Sequence, residues 1–172
     1  VELRGGDADE VIYSPFDGIQ YHLRGGAGND TLVANTDAEG FQYLAGGDGN
    51  DTYEYHSAAG DIRVSAWGEA LGAGKDTFRF ADLNLKDVTF SLVAATKAED
   101  GTYLQAAFVD ENGAKHKVQW ANEGGQINRF EFANGSSLRR VKFDDDAGIV
   151  ELEGFSGDDL IYSPTSTDDR YY

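Results

Sequence analysis

Two glycine-rich segments constrain what this chain can fold into. Residues 25–33 read GGAGNDTLV and residues 46–54 read GGDGNDTYE. Both fit the nonapeptide G-G-x-G-x-D-x-U-x, in which U is a large apolar residue. Glycine tolerates positive φ and close backbone approach, so the six-residue head of each segment predicts a tight turn. Such a turn points carbonyl oxygens inward and supplies one carboxylate, while the apolar residue lies on a short strand and faces inward.

Two imperfect copies extend the series. Residues 5–13, GGDADEVIY, carry Glu10 at the aspartate position, and residues 71–79, LGAGKDTFR, lack only the first glycine. The copies start at residues 5, 25, 46 and 71, so their spacings are 20, 21 and 25 residues. We interpret each repeat as one coil of a solenoid, with return strands at residues 19–23 and 41–44. The apolar U residues then form one column: Ile12, Leu32, Tyr53 and Phe78.

The composition favours cations and argues against several partners. Of 172 residues, 31 are acidic and 14 are basic, which gives a net charge of −17. A charge this negative disfavours nucleic acid and anionic membranes as partners. Cysteine is absent, so a small domain of this kind needs staples other than disulfides, and metal is one. No run of about 18 apolar residues occurs, so we expect no membrane insertion.

The character of the sequence changes from about residue 81. Glycine becomes rarer, and five longer segments of alternating polarity predict strands: residues 87–93, 102–109, 115–120, 128–132 and 137–143. Asn112-Gly113 and Asn134-Gly135 are hairpin turn signals. We therefore expect an all-β protein, in which a parallel β-roll is followed by a small antiparallel unit. The residues with the pattern to cover the open end of the roll are Phe90, Leu92, Val118, Trp120, Phe130 and Phe132.

The tail repeats the start of the chain. Residues 150–164, VELEGFSGDDLIYSP, match residues 1–15, VELRGGDADEVIYSP, at nine of fifteen positions, with an offset of 149 residues. The match predicts a tandem array, with neighbouring units as partners. It divides the chain into a roll (1–82), a flanking antiparallel capping unit (83–146) and the start of a next unit (147–172). The alternative is that the last segment forms an extra coil of the same roll.

With these motifs the chain resembles the RTX family, the haemolysin-type calcium-binding repeat proteins exported by bacteria through type I secretion. That family includes toxins, adhesins, surface-layer proteins, proteases, lipases and alginate-modifying enzymes. The flank is similar too, because a strand like residues 87–93, a pair like Val118 and Trp120, and a phrase like residues 128–135 follow such rolls in this order. The resemblance covers roughly residues 1–143.

The resemblance implies calcium as the cofactor, held between successive coils by carboxylates and by carbonyl oxygens of the turns. Calcium takes roughly 6–8 oxygen ligands, which two stacked turns can supply and one cannot. The implied ligands are the carboxylates of Asp30, Asp51 and Asp76 and the carbonyl oxygens of Gly25, Ala27, Gly46 and Asp48. Glu10 takes the same position in the first turn and is one methylene longer, and Asp159 lies in a fifth turn in the repeated tail.

Several of these residues also have interpretations that involve no bound ligand. Aspartates in glycine-rich turns often only accept hydrogen bonds from their own backbone, and the side chains of Asp7, Asp9 and Asp48 fit solvated charges. Four tyrosines, which could form an exposed strip for sugar binding, fit core or strand packing better: Tyr21, Tyr43, Tyr53 and Tyr55. No zinc-binding H-E-x-x-H, G-x-S-x-G elbow or phosphate-binding loop occurs in the sequence.

We therefore expect a non-catalytic, calcium-stabilised structural or adhesion module of an exported bacterial repeat protein, secreted or held at the cell surface. Its partners would be calcium, neighbouring units, and a cell-surface glycan or protein. The alternative is an accessory calcium-binding or glycan-binding module of a toxin or of a secreted enzyme, such as a polysaccharide-modifying enzyme, lipase or protease. The tandem repeat favours the first interpretation, because the tail of an enzyme usually needs one roll.

Overall fold

A computed structural model describes residues 1–15, 18–35, 40–64, 74–94, 102–120, 127–144 and 149–155. The regular structure in these ranges is strand, with two short 3₁₀ turns at Ser57–Ala59 and Leu85–Asp87. None of the helical segments in the described ranges is long and apolar enough to cross a membrane. In chain order the strands are β1 (Glu2–Arg4), β2 (Val11–Tyr13), β3 (His22–Ala27), β4 (Thr31–Ala34), β5 (Gln42–Asp48), β6 (Thr52–Tyr55), β7 (Ile62–Val64), β8 (Asp76–Phe80), β9 (Thr89–Ala94), β10 (Thr102–Val109), β11 (Lys115–Trp120), β12 (Ile127–Glu131), β13 (Ser137–Leu138), β14 (Arg140–Asp144) and β15 (Ile149–Glu153).

The first eight strands form a parallel β-roll, which confirms the predicted fold class. Odd-numbered strands stack in the order β1-β3-β5-β7 in one sheet, and even-numbered strands stack in the order β8-β6-β4-β2 in another. Each coil thus contributes one strand to each sheet. The U residues are register partners, since Ile12 lies opposite Leu32, Leu32 opposite Tyr53, and Tyr53 opposite Phe78. The last three are buried and Ile12 is half-buried at the end of the column.

The return strands differ from the prediction at both ends. They begin later, at His22 and Gln42, and run on into the glycine-rich heads as far as Ala27 and Asp48. The first three residues of each head are therefore strand, and the bend is confined to Gly28 and Asn29 in one head and to Gly49 in the other. The reason is the stacking itself, because each glycine head pairs in parallel with the head of the next coil and gains backbone hydrogen bonds that a single turn lacks.

The flank comprises β9 to β14, and its strands β9 to β13 pair with one another only in antiparallel fashion and continue both sheets of the roll. β9, β10 and β11 pair in sequence, and β11 then pairs in parallel with β7. β12 pairs in parallel with β8 in the second sheet and in antiparallel fashion with β13. The two predicted hairpin turns lie between β10 and β11 and between β12 and β13, with positive φ at Gly113 and Gly135.

Three of the five flank segments have different bounds from those predicted. The first is preceded by the 3₁₀ turn at Leu85–Asp87, so β9 begins only at Thr89. β12 lies one residue earlier than the predicted strand at residues 128–132. The segment at residues 137–143 is broken at Arg139 into β13 and β14, because these two strands pair with different partners.

An aromatic cluster joins the flank to the end of the roll. The Trp120 ring lies edge-on to Phe78 of the last coil (centroids 4.8 Å apart) and to Phe130 of the flank (5.3 Å). Phe80 stacks on Phe132 with centroids 5.2 Å apart. Of the six residues predicted to cover the open end, five are buried, and Leu92 is half-buried.

The outer face of the same junction carries charge. Glu54, Arg79 and Glu131 are register neighbours on β6, β8 and β12. The Arg79 guanidinium forms ion pairs with Glu54 (3.2 Å) and Glu131 (3.0 Å). Exposed pairs of this kind are typically worth only about 0–1 kcal/mol each, so among the side-chain contacts between flank and roll the buried aromatic cluster contributes more than this charged row.

The described part of the tail pairs with the flank. β15 runs antiparallel to β14 in a separate two-stranded sheet, with Val141 opposite Leu152. Leu152 packs against the main core, and the Arg129 guanidinium lies 4.7 Å from the centre of the Phe155 ring. The fifth turn predicted for the tail, with Asp159, lies outside the described residues, and so do residues 71–73 of the fourth copy.

Candidate functional site

Three aspartates at the sixth position of the turns form a hydrogen-bonded series along the roll, here called the aspartate ladder (Asp30, Asp51 and Asp76). Asp30 Oδ1 accepts a hydrogen bond from Glu10 N (2.8 Å), and Asp51 Oδ1 accepts one from Asp30 N (2.8 Å). Asp76 Oδ1 accepts one from Asp51 N (3.0 Å). Each carboxylate thus binds the backbone of the preceding turn, and the three side chains are between 1% and 7% exposed.

The second carboxylate oxygen is left over in two of these residues. Asp30 Oδ2 and Asp51 Oδ2 are buried and have no hydrogen-bond partner. No ion pair in the described part of the chain involves any residue of the aspartate ladder. A buried carboxylate oxygen with neither a donor nor a cation is costly, because nothing replaces the water it has lost.

The free oxygens face the first glycine of their own turn. A Cβ built on Gly25 would overlap both Asp30 Oδ2 and the carbonyl oxygen of Gly46, and one built on Gly46 would overlap Asp51 Oδ2. The missing side chain therefore leaves space in which a carboxylate oxygen and a carbonyl oxygen from the next coil converge. A residue with a side chain at either glycine would fill this space.

The predicted carbonyl ligands divide into two groups. Those of Gly25 and Gly46 lie beside the carboxylate of the preceding turn, next to Glu10 and Asp30 respectively. Asp48 O lies elsewhere in the stack and already accepts a hydrogen bond from Gly28 N (2.9 Å). Ala27 is the register partner of Asp48, and its N–H donates to Gly6 O (2.9 Å).

The first turn repeats the arrangement with a longer acid. Glu10 Oε2 accepts a hydrogen bond from Gly6 N of its own turn (3.1 Å). A Cβ on Gly5 would meet Gly25 O and the Glu10 carboxylate together. The extra methylene is thus absorbed by folding the side chain back, and the carboxylate still reaches the position that Asp30 occupies one coil later.

A second series runs along the outside of the turns, at the position before the aspartate, and is here called the outer ladder (Asp9, Asn29 and Asn50). Asp9 Oδ1 accepts from Asn29 N (2.7 Å), Asn29 Oδ1 from Asn50 N (2.9 Å), and Asn50 Oδ1 from Lys75 N (2.8 Å). In the outer ladder a backbone N–H of each turn donates to a side chain of the preceding turn. In the aspartate ladder the backbone N–H donates instead to a side chain of the following turn. Sequence reasoning missed the outer ladder, although Asn-Asp-Thr in both perfect copies was a signal. Asp9 is exposed as expected, yet it also fixes the next turn.

Burial raises the pKa of every residue of the aspartate ladder. For Asp51 it is the main reason that the pKa is raised to about 6, and the negative charges of Asp76 and Asp30 add to it, against the opposing hydrogen bond from Asp30 N. Burial also raises the pKa of Asp30, again opposed by its backbone hydrogen bond. The pKa of Asp76 is raised by burial, and hydrogen bonds from Asp51 N and Tyr53 oppose the rise. The ionised form of the aspartate ladder is therefore less favourable than that of exposed aspartates.

The tyrosines do not form the exposed strip that sugar binding would require. Tyr21, Tyr53 and Tyr55 are at most 6% exposed and belong to the core, and Tyr43 is half-buried. The hydroxyl of Tyr53 accepts a hydrogen bond from Gly46 N (3.0 Å). This U residue therefore also supports the aspartate ladder, a role that its place in the sequence pattern did not reveal.

The atoms around the aspartate ladder that could bind a metal ion are all oxygens. No three His, Cys, Asp or Glu side chains converge anywhere in the described ranges, so a cation among these turns would bind one carboxylate per coil together with backbone carbonyls. Mixed carboxylate and carbonyl oxygens suit hard cations such as calcium, rather than zinc or copper. Two orphaned oxygens, the space left by the glycines and the raised pKa values all fit such an ion.

No protein-family model matches the chain, and no curated protein matches it either.

Proposed function

We propose that this chain is a non-catalytic, calcium-binding β-roll module of the RTX type, belonging to an exported bacterial repeat protein. Calcium ions would lie between successive glycine-rich turns, with the aspartate ladder supplying the charged ligands. The carbonyl oxygens of Gly25 and Gly46 would supply neutral ones. The ions would rigidify a unit that extends or presents adhesive regions outside the cell.

One observation carries the calcium proposal: Asp30 Oδ2 is buried, has no partner, and lies in the same small space as Gly46 O. Two acceptor oxygens have no reason to converge unless a cation or a proton lies between them. The arrangement recurs at the first turn, where Glu10 and Gly25 O converge. A site that repeats along the axis is what a stack of calcium-binding turns requires.

The net charge gives a second, independent argument. A chain with charge −17 repels itself, and burying a row of carboxylates adds to the cost. Divalent cations between the coils would reduce both penalties, because they lower the net negative charge and neutralise the carboxylates where they are buried. Binding free energy would then contribute directly to folding free energy.

The extracellular, structural role is supported by sequence organisation. The 149-residue offset between the two ends of the chain is typical of tandem units, and the absence of cysteine fits a unit stabilised by metal. A module repeated in tandem would serve as a spacer or a display element. We propose no chemical reaction for the unit.

The test is a calcium titration of the chelator-treated protein, followed by circular dichroism. In chelator the roll is expected to be largely unfolded, and millimolar calcium is expected to restore β signal and raise the thermal midpoint. Magnesium at the same concentration is the control, since it prefers a rigid octahedral shell with several waters. A chelated protein with the same spectrum and melting temperature as the calcium-loaded one would contradict the proposal.

A further inference from the structure

Among the described strands, none pairs with the outer edge of the first coil, which ends the roll. β1 and β2 are the outermost strands of their sheets. Five large hydrophobic side chains in the described residues are exposed, and four of them belong to this coil: Val1, Val11, Tyr13 and Ile19. An open strand edge with apolar side chains beside it is a surface that proteins normally cover.

The tail indicates what covers it. Val150, Glu151 and Leu152 of β15 repeat Val1, Glu2 and Leu3 of β1 at the 149-residue offset. In this structure β15 pairs with β14 and not with the roll. The molecule therefore already contains one strand of the β1 type with its neighbour in place, and that neighbour is the flank strand β14.

The pairing of β1 with β3 and the pairing of β15 with β14 use opposite edges of the repeated strand. The carbonyl of Val1 and the N–H of Gly5 point to β3, since they bond to His22 N and Arg24 O (both 2.8 Å). Backbone groups alternate in direction along a strand, so those of Glu2 and Arg4 point away from β3. At the position equivalent to Arg4, Glu153 O accepts a hydrogen bond from Arg139 N, just before β14 (2.7 Å).

From these observations we propose that the free edge of β1 binds β14 of a second copy of this unit. β14 of one unit becomes the outermost strand of the next unit's first sheet, in antiparallel pairing with β1. Successive rolls are thereby joined through a shared sheet rather than through a flexible linker. The inference rests on the tandem-array part of the proposed function and is independent of calcium.

In this register the pairing is chemically matched. The β14–β15 pair sets Val141 opposite Leu152 and Lys142 opposite Glu151. The same register between units sets Val141 opposite Leu3 and Lys142 opposite Glu2, because both β1 residues are retained at the offset. An apolar pair and an opposite-charge pair on alternate faces each favour the register.

The experiment uses a tandem chain in which residues 1–149 precede the complete 172-residue chain, so that Ile149 is followed directly by Val1. Hydrogen exchange with mass spectrometry compares β1 in the two copies. The peptides are distinguishable because only the second β1 follows Ala147-Gly148-Ile149. We expect the amides of Glu2 and Arg4 to exchange at least about tenfold more slowly in the second copy. Equal rates in the two copies overturn the inference.

A matched substitution supplies an independent readout. Glu2→Pro removes an outward N–H, which an edge strand tolerates and an inner strand does not. In the first copy it is expected to leave the thermal midpoint nearly unchanged, and in the second copy to lower it. Equal shifts in both positions would count against the shared sheet. Both comparisons are internal to one molecule, so they decide the inference even if calcium leaves the circular dichroism unchanged, which would contradict the proposed function alone.

Discussion

In the proposed calcium site the Asp30 carboxylate has two tasks, since Oδ1 accepts the hydrogen bond from Glu10 N, and Oδ2, which has no hydrogen-bond partner, would bind the ion. Asparagine preserves the first task, because its carbonyl oxygen can still accept the hydrogen bond. It removes the charge needed for the second. Substitution at this residue therefore separates a structural role from cation binding.

Asp30→Asn is expected to weaken calcium binding by at least about tenfold, or about 1.4 kcal/mol. The same substitution is expected to make the chelated protein slightly more stable, because it removes a buried charge. Asp7→Asn is the matched control, since Asp7 lies in the first glycine-rich turn and is exposed. Calcium titrations that are equal for the two variants would show that the charged ligand lies elsewhere.

Protonation of the aspartate ladder at low pH should partly replace the stabilisation that calcium is proposed to supply. The pKa of Asp51 is raised to about 6 by burial, against about 3.9 in an unfolded chain, so the folded chain binds more protons in this window. This contribution to stability is therefore lost as pH rises through about 6 and is fully present below about 4. In chelator, lowering the pH from 7 to 5 is expected to increase the β signal in circular dichroism.

The control for this effect is Asp51→Asn, in which the pH response should flatten. In saturating calcium the trend should reverse, because protons compete with the metal for the carboxylates. A chelated wild-type protein with the same signal at both pH values would argue against the buried, charged ladder.

Individual residues were predicted unequally well. The sequence placed Asp30 and Asp51 correctly in the stacked turns, since their motif copies are complete. It did not reveal the outer ladder, because the pattern leaves the position of Asn29 and Asn50 variable. Which backbone N–H each amide reaches depends on how adjacent coils are offset, and that offset is a property of the stack.

At the scale of the strand, the glycine heads set how closely coils approach. Gly46→Ala is expected to destabilise the protein by about 3 kcal/mol or more and to weaken calcium binding, because the new methyl group would overlap the Asp51 carboxylate. Gly6→Ala is the matched control, since its φ is ordinary and its nearest side-chain atom is 3.5 Å away. It should stay within about 1 kcal/mol of wild type. Denaturant unfolding in calcium measures both, and equal losses would contradict the close-approach argument.

Strand bounds were predictable where the partner is local. β10 and β11 have the bounds expected from sequence, since an Asn-Gly turn fixes their pairing. β3 and β5 extend further than their polarity pattern indicates, because their glycine ends pair with another coil about 20 residues away. The break at Arg139 likewise reflects two different partners, neither of which a single segment encodes.

At the scale of the whole molecule, flank and roll form one hydrogen-bonded body. β7 and β8 would be bare edges without β11 and β12, and Phe78 would lose its contact with Trp120. A chain of residues 1–82 is therefore expected to stay mostly disordered, or to aggregate, at calcium concentrations that fold the full chain. Circular dichroism and sedimentation test this. A soluble monomer with an unchanged calcium midpoint would make the two parts independent.

The sequence indicated an antiparallel unit over the open end of the roll, and the antiparallel strands are present. It did not indicate that this unit enters both sheets by parallel pairing. Val118 pairs with Ile62 and Phe130 with Phe78, contacts that span more than fifty residues. Such distant register is determined by the shape of the last coil, and no local pattern records it.

The parallel stacking also determines how much length the chain stores. His22 pairs with Tyr43, so one coil comprises 43 − 22 = 21 residues, yet it advances the roll by only one strand spacing, about 4.8 Å. Pulled straight, the same residues would reach about 70 Å. A coil that detached under tension would thus span roughly fifteen times the length that it had occupied along the roll. A series of such coils would extend in steps under tension and dissipate mechanical energy at each step.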